Sequence, residues 1–222
     1  MPRIAIFFDR DGVLNEEVGH IAKASDLRVY PFAAEAVRRV NETGVLAIVV
    51  TNQSGIARGL LSEASLKGIH DRLEEVLDFG GARLDDIYYC PHHPEYGTPQ
   101  YRRVCNCRKP NPGMLFAAAR DHEIDLTQST FVTDRHREIA MAQMLGLQSV
   151  LVLTGYGRSE REQQGYVNMP RPDLIAEDVL HAVQSIVSGM SREKPNVAAR
   201  KATSADRATC WSSRSTHGEG AR

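Results

Sequence analysis

The sequence predicts an α/β fold in which a parallel sheet is doubly wound, with helices on both faces. Three observations predict it. Short apolar runs alternate along the chain with segments whose apolar residues recur at helical spacing, the pattern of successive βαβ units. The helical segments carry their own start and stop residues. Each apolar run also ends on a polar residue: Asp9, Thr51, Cys90, Asp134 and Thr154. In an open parallel sheet these carboxyl ends share one edge, where such Rossmann-like folds bind ligands.

The elements follow in order. Residues 4–8, IAIFF, form the first strand. Residues 31–44 read as a helix with Phe32, Val37 and Val40 inward and Gly44 as its stop. VLAIVV at 45–50 is the second strand, and residues 62–81 form a long helix with Ser62 as N-cap and Leu66, Ile69, Leu73 and Val76 on one face. DIYY (86–89), TFVT (130–133) and SVLVL (149–153) complete the predicted strands, and residues 112–122 and 137–146 supply two more helices. Residues 1–190 are therefore read as one domain. From Ser191 to Arg222 the chain turns rich in Ser, Ala, Arg and Gly with no apolar period, which predicts a disordered tail.

Composition narrows the function. At 222 residues, 42% hydrophobic and with a net charge of −1, the chain has the balance of a globular protein and no global field to gather nucleic acid or an anionic membrane. No run approaches the length of a membrane span, and the N-terminus meets charge too soon for a signal peptide, so a cytoplasmic protein is expected. An anionic ligand must be held locally.

RIAIFFDRDGVLNEE poses the local problem. On extended backbone Asp9 and Asp11 would point to one side, and their like charges call for a cation. VVTNQSGIARG adds a hydroxyl, Thr51, and a turn suited to cradling phosphate with backbone N–H groups, while CRKPNPGM brings Arg108 and Lys109 before a proline-opened helix. Asp134 supplies another hard oxygen. Carboxylates plus a phosphate suit Mg²⁺, which takes one or two carboxylates and substrate oxygens.

FFDRDGVLN, VVTNQSG, CRKPNPGM and FVTDRHRE resemble, in order and spacing, the four motifs of the haloacid dehalogenase superfamily of phosphatases. The resemblance spans residues 3–155. It implies Asp9 as nucleophile, Asp11 as general acid and base, Thr51 and Lys109 stabilising the transferred phosphoryl group, Asp9, Asp11 and Asp134 at Mg²⁺ and, for superfamily members that carry a Cys/His loop such as that of residues 90–107, no large cap domain. The fourth motif departs from the family's Gly-Asp pattern: Thr133 replaces the glycine, and Glu138 stands where a second Asp is common.

CPHHPEYGTPQYRRVCNC, residues 90–107, contains Cys-x-His and Cys-x-Cys. Three thiolates and one imidazole fill a structural Zn²⁺ shell; Cys90, Cys105 and Cys107 supply the thiolates, His92 and His93 are the candidate imidazoles, and the family resemblance implies His92. With this loop, the resemblance narrows to phosphosugar phosphatases of the superfamily and implies substrate contacts at Arg10, Glu17, Val18, Gly19, His20, Asn52, Gln53, Ser54, Arg108 and Arg135. The expected partner is a small phosphorylated sugar met by a monomer. A histidinol-phosphate phosphatase and a non-catalytic, zinc-stabilised phosphosugar-binding protein are the rival readings.

Overall fold

The computed structural model describes residues 2–162 and 170–192. Six parallel strands, β1 (Ala5–Phe8), β2 (Leu46–Asn52), β3 (Asp86–Cys90), β4 (Thr130–Thr133), β5 (Gln148–Val152) and β6 (Leu174–Ala176), form one sheet in the order β3-β2-β1-β4-β5-β6. The order reverses at β1 and β4, the switch point where doubly wound sheets open a crevice. Pairing of Phe8 with Val132 brings the residues after these strands side by side.

The helices are α1 (Ala33–Thr43), α2 (Glu63–Phe79), α3 (Gly113–His122), α4 (His136–Met144), α5 (Gly157–Glu162) and α6 (Val179–Arg192). Alternation along β1 divides the core. Ile6 and Phe8 pack with Val37 and Val40 of α1, Leu73 and Leu77 of α2 and Val183 and Ile186 of α6. Ala5 and Phe7 face Met114, Leu115 and Ala118 of α3 and Met141 and Ala142 of α4. With both faces covered, the strands can be continuously apolar.

Gly44 ends α1 in the left-handed region at φ 77°, and Ser62 Oγ caps α2 by accepting from Ser65 N–H. Leu77, rather than Val76, is the fully buried residue in the last turns of α2. Three of these strands and α-helices lie outside the predicted elements. β6 has only three residues, and α5 only six, too few to show a period. In α6, Val179, Ala182, Val183 and Ile186 are buried at helical spacing, a signal present in the sequence. Burying Val183 and Ile186 contributes roughly 2 kcal/mol each. The predicted tail lies, beyond Arg192, outside the described residues.

Candidate active site and metal cluster

Asp9 follows β1, its N–H donating to Val132 O on β4 at 2.9 Å. Its Oδ1 accepts from Arg10 N–H at 2.7 Å, and its Oδ2 lies 2.7 Å from Lys109 Nζ. Burial pushes the Asp9 carboxyl well up; Lys109 opposes this, while the neighbouring Glu138 and Asp134 charges add to it. Ionised Asp9 and Asp134 therefore gain from a cation between them, which fits Mg²⁺ chemistry.

Asp11 is held differently. The chain leaves strand geometry at Arg10, whose carbonyl accepts from Leu14 and Asn15 N–H. Asp11 Oδ1 accepts from Arg10 Nη2 at 2.9 Å and Asn15 Nδ2 at 2.9 Å; Oδ2 accepts from Arg10 Nη2 at 3.0 Å and Gln53 Nε2 at 2.8 Å. Burial raises the carboxyl, but the Arg10 charge and these hydrogen bonds outweigh it and hold Asp11 low. Each aspartate thus has its own cation. Arg10, expected at the substrate, is 1% exposed and spends its guanidinium on Asp11.

β2 delivers Thr51, fully buried, whose Oγ1 accepts from the same Gln53 amide at 3.0 Å. Asn52 is engaged inward: its Nδ2 donates to Lys109 O and its Oδ1 accepts from Lys109 N–H, both at 3.0 Å. This pair fixes Lys109. Burial lowers the Lys109 proton affinity, yet Asp9 and Glu138 outweigh that and raise it, so the group stays charged.

Asp134 sits in a cradle of glycines. A Cβ at Gly12 would stand 2.1 Å from Asp134 Oδ2, and one at Gly155 would stand 2.2 Å from it. Both glycines have positive φ, 81° and 55°. Tyr156 N–H donates to the same oxygen at 2.8 Å, and Thr154 Oγ1 holds Gly12 O at 2.6 Å. Burial raises the Asp134 carboxyl to about 7, opposed by Tyr156 N–H and Arg135. The sequence expectations bring Thr154 to this edge but do not include the cradle, for which the glycine after it, Gly155, is the available signal.

The Cys/His loop closes on itself. Cys90, His92, Cys105 and Cys107 offer ligand atoms all within 4.8 Å of one another. The sulfurs are 3.1–3.6 Å apart, and His92 Nδ1 lies 3.2 Å from Cys107 Sγ. Sulfurs at about 2.3 Å from a tetrahedral Zn²⁺ would be about 3.8 Å apart, so a slight expansion admits the ion.

A HAD-hydrolase-like family model matches residues 106–182. D-glycero-D-manno-heptose-1,7-bisphosphate 7-phosphatase of Thermosynechococcus vestitus is 44% identical over 196 residues, 86% of this chain and 99% of that protein. The chain belongs to this phosphatase family. D-glycero-beta-D-manno-heptose-1,7-bisphosphate 7-phosphatase of Escherichia coli K12 is 40% identical over 153 residues, 68% of this chain and 80% of its own. The crystal structure of D,D-heptose 1,7-bisphosphate phosphatase from B. bronchiseptica, complexed with magnesium and phosphate, superposes with a TM-score of 0.75 at 32% identity, covering 84% of this chain and 99% of that one.

For a member of the heptose bisphosphate phosphatase family, the fourth-motif departures turn out to be mutual partners. Thr133 Oγ1 donates to Glu138 Oε2 at 2.8 Å, and the same oxygen lies 3.0 Å from Lys109 Nζ. Glu138 is thereby directed to Lys109. Thr133→Val, which removes a hydrogen bond to a buried charge, is expected to lower stability by about 1.5–3 kcal/mol and kcat by roughly tenfold. Thr133→Ser should retain both, as read from denaturation midpoints and steady-state rates.

The remaining predicted residues lie on the segments that follow β1, β2, β4 and the Cys/His loop. Glu17 Oε1 accepts from Gly19 N–H at 2.7 Å, shaping a loop that exposes Val18 and His20. Arg108 Nη1 donates to His92 O at 3.2 Å, and Ser54 O accepts from Arg58 N–H. Arg135 stacks on Tyr156, its Cζ 3.4 Å from the ring centroid, and pairs with Glu160 at 3.1 Å. Among the described residues, no helix is long and apolar enough to cross a membrane.

Proposed function

We propose that this chain is a Mg²⁺-dependent phosphatase that removes the C7 phosphate of D-glycero-D-manno-heptose 1,7-bisphosphate through an aspartyl-phosphate, in the supply of nucleotide-activated heptose for lipopolysaccharide. The observation that carries it is the meeting of Asp9, Lys109 and Asp134 at one sheet edge in a chain 44% identical to such an enzyme. The Asp9 carboxylate attacks phosphorus, and the bond from phosphorus to the C7 oxygen breaks as that oxygen takes a proton from Asp11, which must first gain one from solvent because Arg10 holds it ionised. Asp11 then takes a proton from water, whose oxygen attacks phosphorus and frees Asp9. Lys109 and Thr51 meet the phosphoryl oxygens during transfer. Asp9, Asp11 and Asp134 would hold Mg²⁺, which offsets repulsion between the nucleophile and the anionic phosphate.

Zn²⁺ at Cys90, His92, Cys105 and Cys107 would order the loop leading into Arg108 and Lys109. In this reading residues 1–190 are the catalytic domain, residues 191–222 are an appendage, and the protein acts as a cytoplasmic monomer. Phosphate release from heptose 1,7-bisphosphate and from histidinol phosphate tests the reading. The bisphosphate should win by at least about tenfold in kcat/KM, or roughly 1.4 kcal/mol of discrimination. A preference for histidinol phosphate would overturn it.

A further inference from the structure

At the crevice mouth, Arg58 Nη2 lies 3.3 Å from His93 Nε2. The His93 Nδ1 atom accepts from the N–H groups of Glu95 and Tyr96, at 3.1 and 3.3 Å. An accepting Nδ1 puts the ring proton on Nε2. Nε2 and Nη2 are then both donors, and donors facing each other at this distance need a shared acceptor. No carboxylate pairs with Arg58 among the described residues.

The pair is rigidly mounted. The Arg58 guanidinium lies over the Tyr96 ring, 4.1 Å from its centroid. The His93 backbone is tied across the Cys/His loop, its N–H donating to Tyr101 O and its carbonyl accepting from Arg103 N–H, each at 3.0 Å. Gly97 passes so near the turn before Arg58 that a Cβ on it would stand 2.4 Å from Ala57 O. The pair also borders the site: Arg58 N–H holds Ser54 O, next to the Gln53 that binds Asp11, and a Cβ on Gly55 would stand 3.5 Å from the His20 ring. Arg108, which pairs with no carboxylate among the described residues, lies within electrostatic range of Arg58.

We propose that Arg58 and His93 form an anion clamp, mounted by the Cys/His loop, that holds a phosphate monoester other than the reacting one. The assignment to the second phosphate of the substrate rests on the bisphosphate reading above. A phosphate dianion supplies the acceptor that both donors lack, and a bidentate guanidinium suits it.

Arg58→Ala should lower kcat/KM for heptose 1,7-bisphosphate about 30-fold, chiefly through KM, and change heptose 7-phosphate by less than threefold. His93→Leu should act in the same direction with unchanged zinc content. Equal losses on both substrates would overturn the clamp, as would a variant that changes only inhibition by inorganic phosphate. If the wild-type enzyme does not cleave the bisphosphate, the function reading fails separately. The clamp is then read from inhibition of p-nitrophenyl phosphate hydrolysis by mannose 1-phosphate. Arg58→Ala should raise that Ki at least tenfold, and an unchanged Ki would overturn the proposal.

Discussion

Asp9→Asn is expected to reduce phosphate release by about 10⁴-fold or more, the scale of losing a nucleophile. The amide keeps the shape of the side chain and removes its charge, so Lys109 keeps Glu138 as a partner and the fold should survive. The Cys/His cluster does not include Asp9, so its metal content should match the wild type. Steady-state release of inorganic phosphate, with circular dichroism and metal analysis alongside, reads all three quantities. Turnover within tenfold of wild type would remove Asp9 from the covalent role.

Gly155→Ala should also cost activity, at least about 100-fold, through position and not charge. Two effects combine there. At φ 55° a Cβ costs about 1 kcal/mol, and this one would also stand 2.2 Å from Asp134 Oδ2 and 2.6 Å from Gly12 Cα. The carboxylate must therefore move or the strand end must shift. Gly44 separates the two effects, because its φ of 77° carries the same backbone cost with nothing within 4 Å. Gly44→Ala should lower stability and leave Mg²⁺ affinity alone, whereas Gly155→Ala should weaken Mg²⁺ binding in calorimetry as well as kcat. Matching Mg²⁺ affinities in the two variants would show that the cradle does not position Asp134.

Legibility in the sequence followed the chemistry of each residue. Asp9, Thr51 and Asp134 could be placed at one edge because each ends an apolar run, and the pairing of β1 with β2 and β4 puts them there. The three cysteines of the Cys/His cluster could be read from spacing, since few other uses gather three thiols and an imidazole, whereas the choice of His92 over His93 came from the family resemblance. Arg10 could not. An arginine between two aspartates reads as exposed, and only the turn through Leu14 and Asn15 folds its guanidinium back onto Asp11. Thr133 and Glu138 looked like two separate losses because the sequence hides that they bond to each other. Gly155 was hidden for a different reason: a glycine's contribution here is the side chain it lacks.

The most direct test of the central claim is ³¹P NMR of heptose 1,7-bisphosphate during turnover by the wild-type enzyme with Mg²⁺. The C7 resonance should disappear as inorganic phosphate rises, while the C1 phosphate persists as heptose 1-phosphate. Loss of the C1 resonance first, or no inorganic phosphate at all, would contradict the account.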